Sequence, residues 1–553
     1  MATATTDGTG GDATPPESIQ TPTDTTTAAE SPKPTKLHGR AFYESIGSPK
    51  FVLAPMVDQS EFAWRMLTRT YMTPSSTKDL LAYTPMLHAR LFTTTEKFRF
   101  NHFQPTRSGL PTVPTSAPPA ESTDTYLDGH PSIDRPLFVQ FCANTPEDLL
   151  AAAQYVAPFC DAVDLNLGCP QGIARKGGYG AFLQEDQELI YKLINTLHTG
   201  LDVPEAAKIR VLEPREEAQR LRRRLREAEG HKTGLADWAA IRHLRDNLPK
   251  ETVIFANGNI LSRGDIERCL EATGADAVMS AEGNLYDPAI FAEAPEVGEE
   301  GCMYWRGRDG KGGFRMDEAL RRYLDILYKY VLEQAPPARK PLYIPGQAAA
   351  GARDPPTPEA DDEPPRTRAR TDAEPAEATV VKTATEAQPT ATSTTQTPDK
   401  KQKNANKKQK REKTSSPNLL AMQPHCFHLL RALVSKHDSV RDALARSRPG
   451  DMEAYEGVLA MGGKAVEYET SVKAVRECRR PFWVCQPYVR PLPMEAMSRG
   501  SVTMSKKELA KLKEGEKEVV MGMGARRNDE RQNGGVKQGE EKKEEKMEEK
   551  KEL

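Results

Sequence analysis

Cysteine is scarce in this sequence and its spacing is irregular. The 553 residues include eight cysteines, and no two of them form a Cys-x-x-Cys pair, the spacing found in many zinc and redox sites. This pattern disfavours both a disulfide framework and a zinc ribbon, and it fits a reducing compartment. We therefore expect no metal centre and a location in the cytoplasm, the nucleus or both.

Long apolar runs are absent as well. No stretch approaches the eighteen apolar residues that a membrane-spanning helix needs. The first eighteen residues have neither a basic start nor an apolar segment, and the N-terminus has almost no arginine, so we expect neither a secretion signal nor a mitochondrial presequence. These absences predict a soluble protein without a membrane partner, and we expect it to be a monomer.

The apolar share of 37% is low for a chain that is folded throughout. Segments poor in apolar residues do not bury enough surface to offset the entropy lost on ordering. Three segments fit that description: a Thr- and Pro-rich tail at 1–36, a basic linker at 345–415 and a Lys- and Glu-rich charged tail at 500–553. We predict that the first two are disordered and that the last is either disordered or a solvated helix.

Positive and negative charges are balanced over the whole chain. Lys and Arg number 77 and Asp and Glu number 79, so an attraction for nucleic acid needs a local basic surface. One candidate is the run KKQKNANKKQKREK at the end of the linker. A nuclear signal, an RNA-attracting strip and a merely solvated linker all fit this run.

The segment from residue 42 to 300 has the pattern of an α/β protein. Short apolar runs of four to eight residues, the length of a buried parallel strand, alternate with amphipathic stretches. Two of the helical stretches open with an N-cap candidate, Thr145 and Ser262. Repeated strand and helix units predict a parallel sheet of the TIM-type (β/α)8 barrel class. The apolar runs begin near residues 51, 80, 136, 161, 206, 253 and 276.

The barrel is one strand short by this count. A closed barrel needs eight strands, and the stretch from Leu212 to Gly234 contains no four-residue apolar run. Either the sheet is open or a strand is absent. A Pro- and Ser-rich insertion near 104–132 also interrupts the spacing, and we interpret it as a surface loop that does not affect the core.

A helical module follows the barrel. Five residues share one helical face after Met316: Leu320, Tyr323, Leu324, Leu327 and Val331. We predict that this C-terminal helical domain comprises residues 316–344 and 416–475.

His425, Cys426 and His428 lie close together in the helical module. Three close metal ligands without a fourth are too few for a structural zinc site, so we interpret these residues as core packing of an amphipathic helix.

The most specific segment for chemistry runs from Asp164 to Gly180. It is a strand followed by Asn, Gly, Cys and Pro, which places the thiol of Cys169 at the carboxyl end of the sheet, where barrels of this class have their active sites. Arg175 and Lys176 follow in a Gly-rich loop that suits an incoming phosphodiester. Taken alone, a buried structural cysteine and a solvated turn fit the same residues.

Nine segments together resemble the tRNA-dihydrouridine synthase family, and within it the eukaryotic branch assigned to D-loop uridines at tRNA positions 16 and 17. The resemblance covers about residues 42–291 and continues at 316–344 and 416–460. The matching segments are LNLGCPQ, KGGYGAFL, APMVDQSEFAWRML, YTPMLHARLF, VQFCANTPEDL, AKIRV, TGLADW, FANGNI and SAEGNLYDPAIF.

The resemblance implies a flavin enzyme that acts on tRNA. In the family the barrel holds FMN, NADPH reduces it, a hydride goes to C6 of uracil and a cysteine thiol protonates C5. Cys169 matches that general acid, and a thiol suits the task because it is mostly protonated near neutral pH yet releases its proton readily. The family's helical domain takes up tRNA, so Arg431 and Lys436 are candidates for phosphate contacts.

The resemblance also assigns the cofactor and substrate residues. Those expected at the flavin ring are Pro55, Met56, Val57, Gln140 at its pyrimidine edge and Lys208 at N1 and O2. Those expected at the FMN phosphate, through backbone at the last two strand ends, are Asn257, Gly258, Asn259, Ala281 and Glu282. Those expected at the substrate are Asn166, Arg175 and Lys176. As isolated residues, Lys208 would more often be a salt-bridge partner and each glycine a simple turn.

One departure from the family coincides with the missing strand. Between AKIRV and TGLADW the family has an apolar strand ending in a His-Gly-Arg motif, and roughly a dozen to fifteen residues of that block are absent here. The family's FMN-contacting histidine is lost with it, and His231 does not match its position. A splicing or gene-model fault is favoured over gradual decay, which would have eroded Cys169 or Lys208 as well. The chain is expected to bind FMN weakly.

Two other functions remain as alternatives. One is a small-molecule flavin reductase of the dihydroorotate dehydrogenase type, which the helical domain and the KGGYG loop disfavour. The other is a catalytically impaired tRNA-binding protein, which follows if the deletion is real and the basic surfaces persist.

Overall fold

The computed structural model describes residues 36–110, 124–210, 236–344 except 301, 309 and 311, 416–469 and 481–488. All seven predicted strands are present in these ranges, which confirms the α/β prediction. A two-residue strand, β3, was not predicted and pairs with β4. The strands of this sheet are β1 (Phe51–Leu53), β2 (Leu80–Tyr83), β3 (Leu87–His88), β4 (Leu137–Cys142), β5 (Ala162–Leu167), β6 (Glu205–Ile209), β7 (Phe255–Asn257) and β8 (Ala277–Ser280).

The seven strands other than β3 form one parallel sheet in the order β6-β5-β4-β2-β1-β8-β7. The first strand pairs with the last, with Leu53 opposite Ser280, so the sheet curls as a barrel does. Within the described ranges β6 and β7 are the two edges, and they are consecutive among these strands along the chain. The eighth strand of a closed barrel would lie between these two edges, and residues 211–235, which lie between them along the chain, are outside the described ranges.

Helices cover the outer face of the sheet. The one that begins at Arg263 has the predicted N-cap, because the Asp265 carboxylate accepts a hydrogen bond from Ser262 N at 2.7 Å. Thr145 is the N-cap residue of the helix that begins at Pro146, as predicted, but its hydroxyl donates to Asn144 Oδ1 and forms no capping bond. The helices are α1 (Gly39–Ser45), α2 (Phe62–Arg69), α3 (Ala89–Thr94), α4 (Glu96–His102), α5 (Pro146–Val156), α6 (Gly172–Gly177), α7 (Gln187–Gly200), α8 (Trp238–Asn247), α9 (Arg263–Thr273) and α10 (Glu282–Tyr286).

The inside of the curled sheet is a small apolar cluster that supports the site above it. Side chains alternate between the two faces of a strand, so each strand sends every second residue inward. Phe42 and Ile46, which lie near the start of the described residues, also pack against this cluster. Its buried members are Val52, Ala54, Leu81, Tyr83, Phe138, Ala162, Ala277 and Met279.

The helical module is present as predicted. Leu320, Tyr323, Leu324 and Leu327 are buried, and Val331 packs against the same core, which confirms the predicted apolar face. The helices of the module are α11 (Met316–Ile326), which continues as a π-helical turn at Leu327–Val331, α12 (Pro417–Leu420), α13 (Met422–Leu429), α14 (Arg431–Val434), α15 (Asp438–Arg446) and α16 (Met452–Glu469). The tails, the linker at 345–415 and residues 470–475 lie outside the described ranges.

The module packs directly on α2 of the barrel. His425 stacks on Trp64 with ring centroids 4.1 Å apart, and its Nε2 lies 2.8 Å from Glu61 Oε1. Asn418 Oδ1 accepts a hydrogen bond from Ala63 N at 2.8 Å. His425 and Cys426 are therefore core residues, as predicted.

Neither a metal cluster nor a membrane span is found in the part of the chain that the structure describes. No group of three or more His, Cys, Asp or Glu residues there could hold a metal ion. No helix in these ranges is long and apolar enough to cross a bilayer.

The insertion near 104–132 is not merely a surface loop, and that part of the prediction is wrong. Leu127 and Asp128 at its end are 1% and 4% exposed. Asp128 and Asp134 both pair with the guanidinium of Arg65 on α2, at 2.8 and 2.5 Å. A charged group inside the core needs such partners, so this segment is anchored where its composition suggested a solvated loop.

A two-stranded hairpin between barrel and module was also not predicted. Its strands are β9 (Tyr304–Arg306) and β10 (Gly312–Phe314), which pair in antiparallel fashion. The distant segment 481–488 packs against it, with Cys485 N donating to Phe314 O at 2.7 Å. The strand β10 begins with two glycines, and an antiparallel hairpin of such short strands does not follow the pattern of buried parallel strands.

Candidate active site

The carboxyl ends of the strands carry every predicted cofactor residue. Because all strands of the curled sheet run in parallel, these ends meet at one edge, as in other barrels. The residues are Pro55, Met56 and Val57 after β1, Gln140 in β4, Lys208 in β6, Asn257 at the end of β7 with Gly258 and Asn259 behind it, and Ala281 and Glu282 directly after β8.

A buried polar network occupies the inner face of β4 and β5. Gln140 and Asp164 are register partners, and Gln140 Nε2 donates to Asp164 Oδ2 at 2.7 Å. Asn166 Nδ2 donates to Gln140 Oε1 at 2.8 Å. The three side chains are 8% exposed or less. Gln140, which we predicted at the pyrimidine edge of the flavin, thus forms hydrogen bonds with Asp164 and Asn166. The sequence alone did not predict either bond.

Asp164 was not predicted as a site residue, although its spacing contained the signal. It precedes Asn166 by two residues in β5, so both must face the inside of the sheet. Burial raises the pKa of Asp164 from its ordinary 3.8 to about 7, while Gln140 and Lys208 oppose that rise. Burial likewise lowers the pKa of Lys208, which the charge of Asp164 opposes. The inner face therefore holds a carboxyl group and an amine, and each favours the charged form of the other.

The raised pKa of Asp164 predicts a pH-dependent stability. Between 3.8 and about 7 the unfolded chain ionises this group while the folded chain does not, so a stabilisation present at low pH is lost as the pH rises. Relative to Asp164→Asn, the free energy of unfolding of the unsubstituted protein should fall by about 3 kcal/mol from pH 5 to pH 8. Urea titrations of both proteins at the two pH values measure this change.

The matched control is Asp246→Asn, because the Asp246 side chain is 55% exposed in an i,i+4 pair with Arg242. Its substitution should leave the pH dependence unchanged. If the free energies of unfolding of Asp164→Asn and the unsubstituted protein differed by the same amount at pH 5 and pH 8, the raised pKa of Asp164 would be contradicted.

The loop that carries Cys169 is held from within by Asn166. The Asn166 Oδ1 atom accepts hydrogen bonds from Gly168 N at 3.1 Å and Cys169 N at 2.9 Å. On its other side, Arg210 Nε donates to Gly168 O at 2.8 Å. Cys169 is half-buried, whereas five of the other described cysteines are buried. The structure thus places Cys169 as a fixed and accessible thiol.

The KGGYG segment closes over the cysteine loop. Ala181 N donates to Cys169 O at 3.0 Å, and Gly180 has a φ of +69°. A Cβ atom at Gly180 would lie 2.7 Å from Cys169 O, so only glycine allows this approach. Burial raises the pKa of the Cys142 thiol to about 12, which leaves Cys142 protonated and unreactive.

The loops after β7 and β8 are joined at the predicted phosphate end. Ser280 Oγ donates to Ile260 O at 2.9 Å, and Trp238 Nε1 donates to Gly258 O at 3.1 Å. Gly258 and Asn259 have φ values of +137° and +58°. These bonds fix a turn with left-handed residues, a form of backbone that binds anions in other proteins.

The predicted substrate residues Arg175 and Lys176 lie on α6, directly after the cysteine loop, and both are exposed. Val57 at the end of β1 is 52% exposed and Ile173 on α6 is 66% exposed. Basic and apolar side chains on α6, and an apolar side chain after β1, are thus exposed to solvent at the carboxyl edge of the sheet.

The residues present fit FMN in their donor set. Gln140 retains one amide hydrogen and one lone pair beyond its two bonds, which suits a pyrimidine edge. Lys208 supplies a cation on the inner face, and the strand-end turns supply backbone N–H groups. The small side chains of Ala54 and Ala281 lie on the same inner face.

A family model described as dihydrouridine synthase (Dus) matches residues 52–304. This span begins in β1, ends at the first residue of β9, and contains Cys169 and every residue predicted at the cofactor and at the reacting end of the substrate. Arg431 and Lys436, which were predicted as candidates for phosphate contacts, lie outside it.

Curated relatives extend the similarity beyond that span. A protein of Schizosaccharomyces pombe named tRNA-dihydrouridine(16/17) synthase, with NAD(P)(+) in its name, is 35% identical over 493 residues, which is 84% of this chain and 94% of that protein. The Saccharomyces cerevisiae protein of the same name is 49% identical over 53% of this chain and 63% of its own length. A Rattus norvegicus protein whose name adds "-like" is 41% identical over 48% and 57%. The chain spans less than two thirds of the last two relatives.

Proposed function

The chain belongs to the dihydrouridine synthase family, a family of oxidoreductases, and on that premise we propose that it reduces uridine to dihydrouridine in tRNA with FMN and NADPH. The single observation that carries the proposal is the half-buried Cys169 on a loop fixed at the carboxyl edge that also holds Gln140 and Lys208. The names of the yeast relatives support positions 16 and 17 as the target.

In this proposal each residue has a separate task. FMN, when bound, supplies the hydride that the reduction needs. Gln140 holds the pyrimidine edge of the flavin, and Lys208 stabilises negative charge beside it. Asn166 contacts the uracil base, and Cys169 donates its proton to C5 of that base as general acid.

The exposed Arg175 and Lys176 attract the phosphodiester that follows the target nucleotide. On the helical module, Arg431 and Lys436 offer further positive charge. The guanidinium of Arg431 lies 3.7 Å from the ring centre of Tyr488, and Lys436 Nζ lies 3.8 Å from that of Phe482. Such stacked cations are preorganised for phosphate. A small-molecule reductase would not need this surface, and an impaired binding protein is not favoured by the synthase names of the relatives.

The absence of the family's His-Gly-Arg strand from the sequence between β6 and β7 predicts weak FMN binding. Without the family's histidine the phosphate loses one donor, and one hydrogen bond to a charged group is worth about ten- to a hundredfold in affinity. We expect the full chain to purify largely colourless. A form with a family-like strand and its His-Gly turn inserted between residues 220 and 230 should bind FMN at least tenfold more tightly and purify yellow.

The same two proteins test the function. At saturating FMN, with NADPH and unmodified tRNA, dihydrouridine counted by mass spectrometry should appear with both, and faster with the strand-restored form. If the unmodified chain instead binds one FMN per molecule, it tolerates the absence of the family strand and the prediction of weak FMN binding is wrong. If neither protein makes dihydrouridine while free uracil or orotate is turned over, the proposed function is wrong.

A further inference from the structure

A continuous chain of hydrogen bonds, which we name the Asp164 relay, runs from β5 through β4 to the cysteine loop. Its links join Asp164 to Gln140 at 2.7 Å, Gln140 to Asn166 at 2.8 Å, and Asn166 to Cys169 N at 2.9 Å and Gly168 N at 3.1 Å. The strand register brings the first two residues opposite each other.

The two ends of the relay fix the orientation of the two amides between them. The Asp164 carboxyl accepts through Oδ2, so Gln140 turns Nε2 toward Asp164 and Oε1 toward Asn166. Asn166 must then use Nδ2 for Gln140, which leaves Oδ1 for the backbone. Backbone N–H groups only donate, so the Oδ1 atom is what Gly168 and Cys169 require. The acceptor at position 164 and the two backbone donors therefore together decide which way both amides face.

Burial makes this orientation consequential. Gln140 and Asp164 are each 1% exposed, so water is not at hand to replace a missing partner. A buried polar group without a partner is costly, and networks in low dielectric are strengthened by full satisfaction. If the acceptor at 164 were removed, the Gln140 amide could rotate by half a turn, and the Asn166 amide could follow it. The cysteine loop would then face an NH2 group instead of an acceptor.

We propose that Asp164 is a positioning residue for Cys169, which acts by orienting Gln140 and Asn166 through the Asp164 relay. The inference rests on the proposed function only in taking Cys169 as the general acid. Asp164 touches neither the thiol nor the reacting base in this scheme. Its contribution is a fixed backbone for the loop and a fixed amide edge at Gln140.

Amide hydrogen exchange of the full chain, without FMN, NADPH or tRNA, tests the proposal directly. The peptide that contains Gly168 and Cys169 should exchange on the order of tenfold faster in Asp164→Leu, because two amides lose their acceptor. Asp164→Asn keeps an acceptor of the same shape and should stay close to the unsubstituted protein. A peptide covering β8 should not change in either variant.

Two further variants separate the relay from general loosening. Val163→Ala removes a buried side chain that packs on the helix side of the same strand, and it should leave exchange at Gly168 and Cys169 unchanged. Gln140→Leu cuts the relay in the middle and should reproduce the effect of Asp164→Leu, which also serves if the latter does not fold.

Unchanged exchange of the cysteine loop in Asp164→Leu and Gln140→Leu would overturn the proposal. So would equal acceleration by Val163→Ala, or an Asp164→Asn protein as loose as Asp164→Leu. A chain that forms no dihydrouridine would refute the proposed function while leaving the exchange result intact, because the measurement involves no turnover.

Discussion

Replacement of Cys169 by alanine is expected to slow dihydrouridine formation on the order of a hundred- to ten-thousandfold, the range that a positioned general acid contributes. The side chain that would be lost is the half-buried thiol on the loop held by Asn166 and Gly180. Without it, C5 of the target base must take its proton from water. The measurement is the single-turnover rate with tRNA and reduced FMN, in the strand-restored form so that cofactor loading does not limit the reaction.

Cys302→Ala is the matched control for this experiment. Cys302 is also half-buried, lies outside the strand ends and engages Arg315 only through its backbone carbonyl. Its removal should leave the rate unchanged. A Cys169→Ala protein with the FMN content and the rate of its parent would contradict the acid role, and a Cys302→Ala protein slowed to the same degree would show that the loss reflects folding.

Most of the barrel could be predicted because parallel strands are buried on both faces. The seven apolar runs were visible for that reason, and all seven are strands. The hairpin β9–β10 is antiparallel and separate from the main sheet, so the pattern of buried parallel strands did not reveal it, and the two residues of β3 are too few to carry a period. The insertion misled for a different reason: its Pro and Ser content outweighed Leu127 and Asp128, and the Arg65 partner of Asp128 lies 63 residues away along the chain.

The sequence predicted where the site residues lie along the strands, but not the hydrogen bonds that join them. Resemblance and strand-end position placed Gln140, Lys208 and Cys169 at one edge, where the structure also has them. Asp164 was missed because its spacing from Asn166 puts it on the inner face of β5 but does not reveal its partner. That partner, Gln140, lies 24 residues away and is brought opposite by strand register alone.

The buried guanidinium of Arg65 joins the anchored insertion to the barrel. Its Nε and Nη2 atoms form a two-pronged contact with Asp134 at 3.0 and 2.5 Å, and Nη2 also reaches Asp128 at 2.8 Å. The Arg65 and Asp134 side chains are fully buried, and that of Asp128 is 6% exposed. Asp134 lies three residues before Leu137, the first residue of β4, so this cluster also fixes the start of the strand that carries Gln140.

Substitution of Arg65 by methionine is therefore expected to lower the free energy of unfolding by about 3–5 kcal/mol, because it leaves Asp128 without its cation and Asp134 with only the more distant Arg69, at 4.0 Å. Urea titration followed by circular dichroism measures the loss. Arg242→Met removes an arginine from an ion pair whose side chains are 51% and 55% exposed, and it should cost less than about 1 kcal/mol. Adding Asp128→Asn and Asp134→Asn to Arg65→Met should recover part of the loss, since neutral amides need no cation. A loss in Arg65→Met no larger than that in Arg242→Met would mean that water reaches the two carboxylates and that the insertion is not anchored through them.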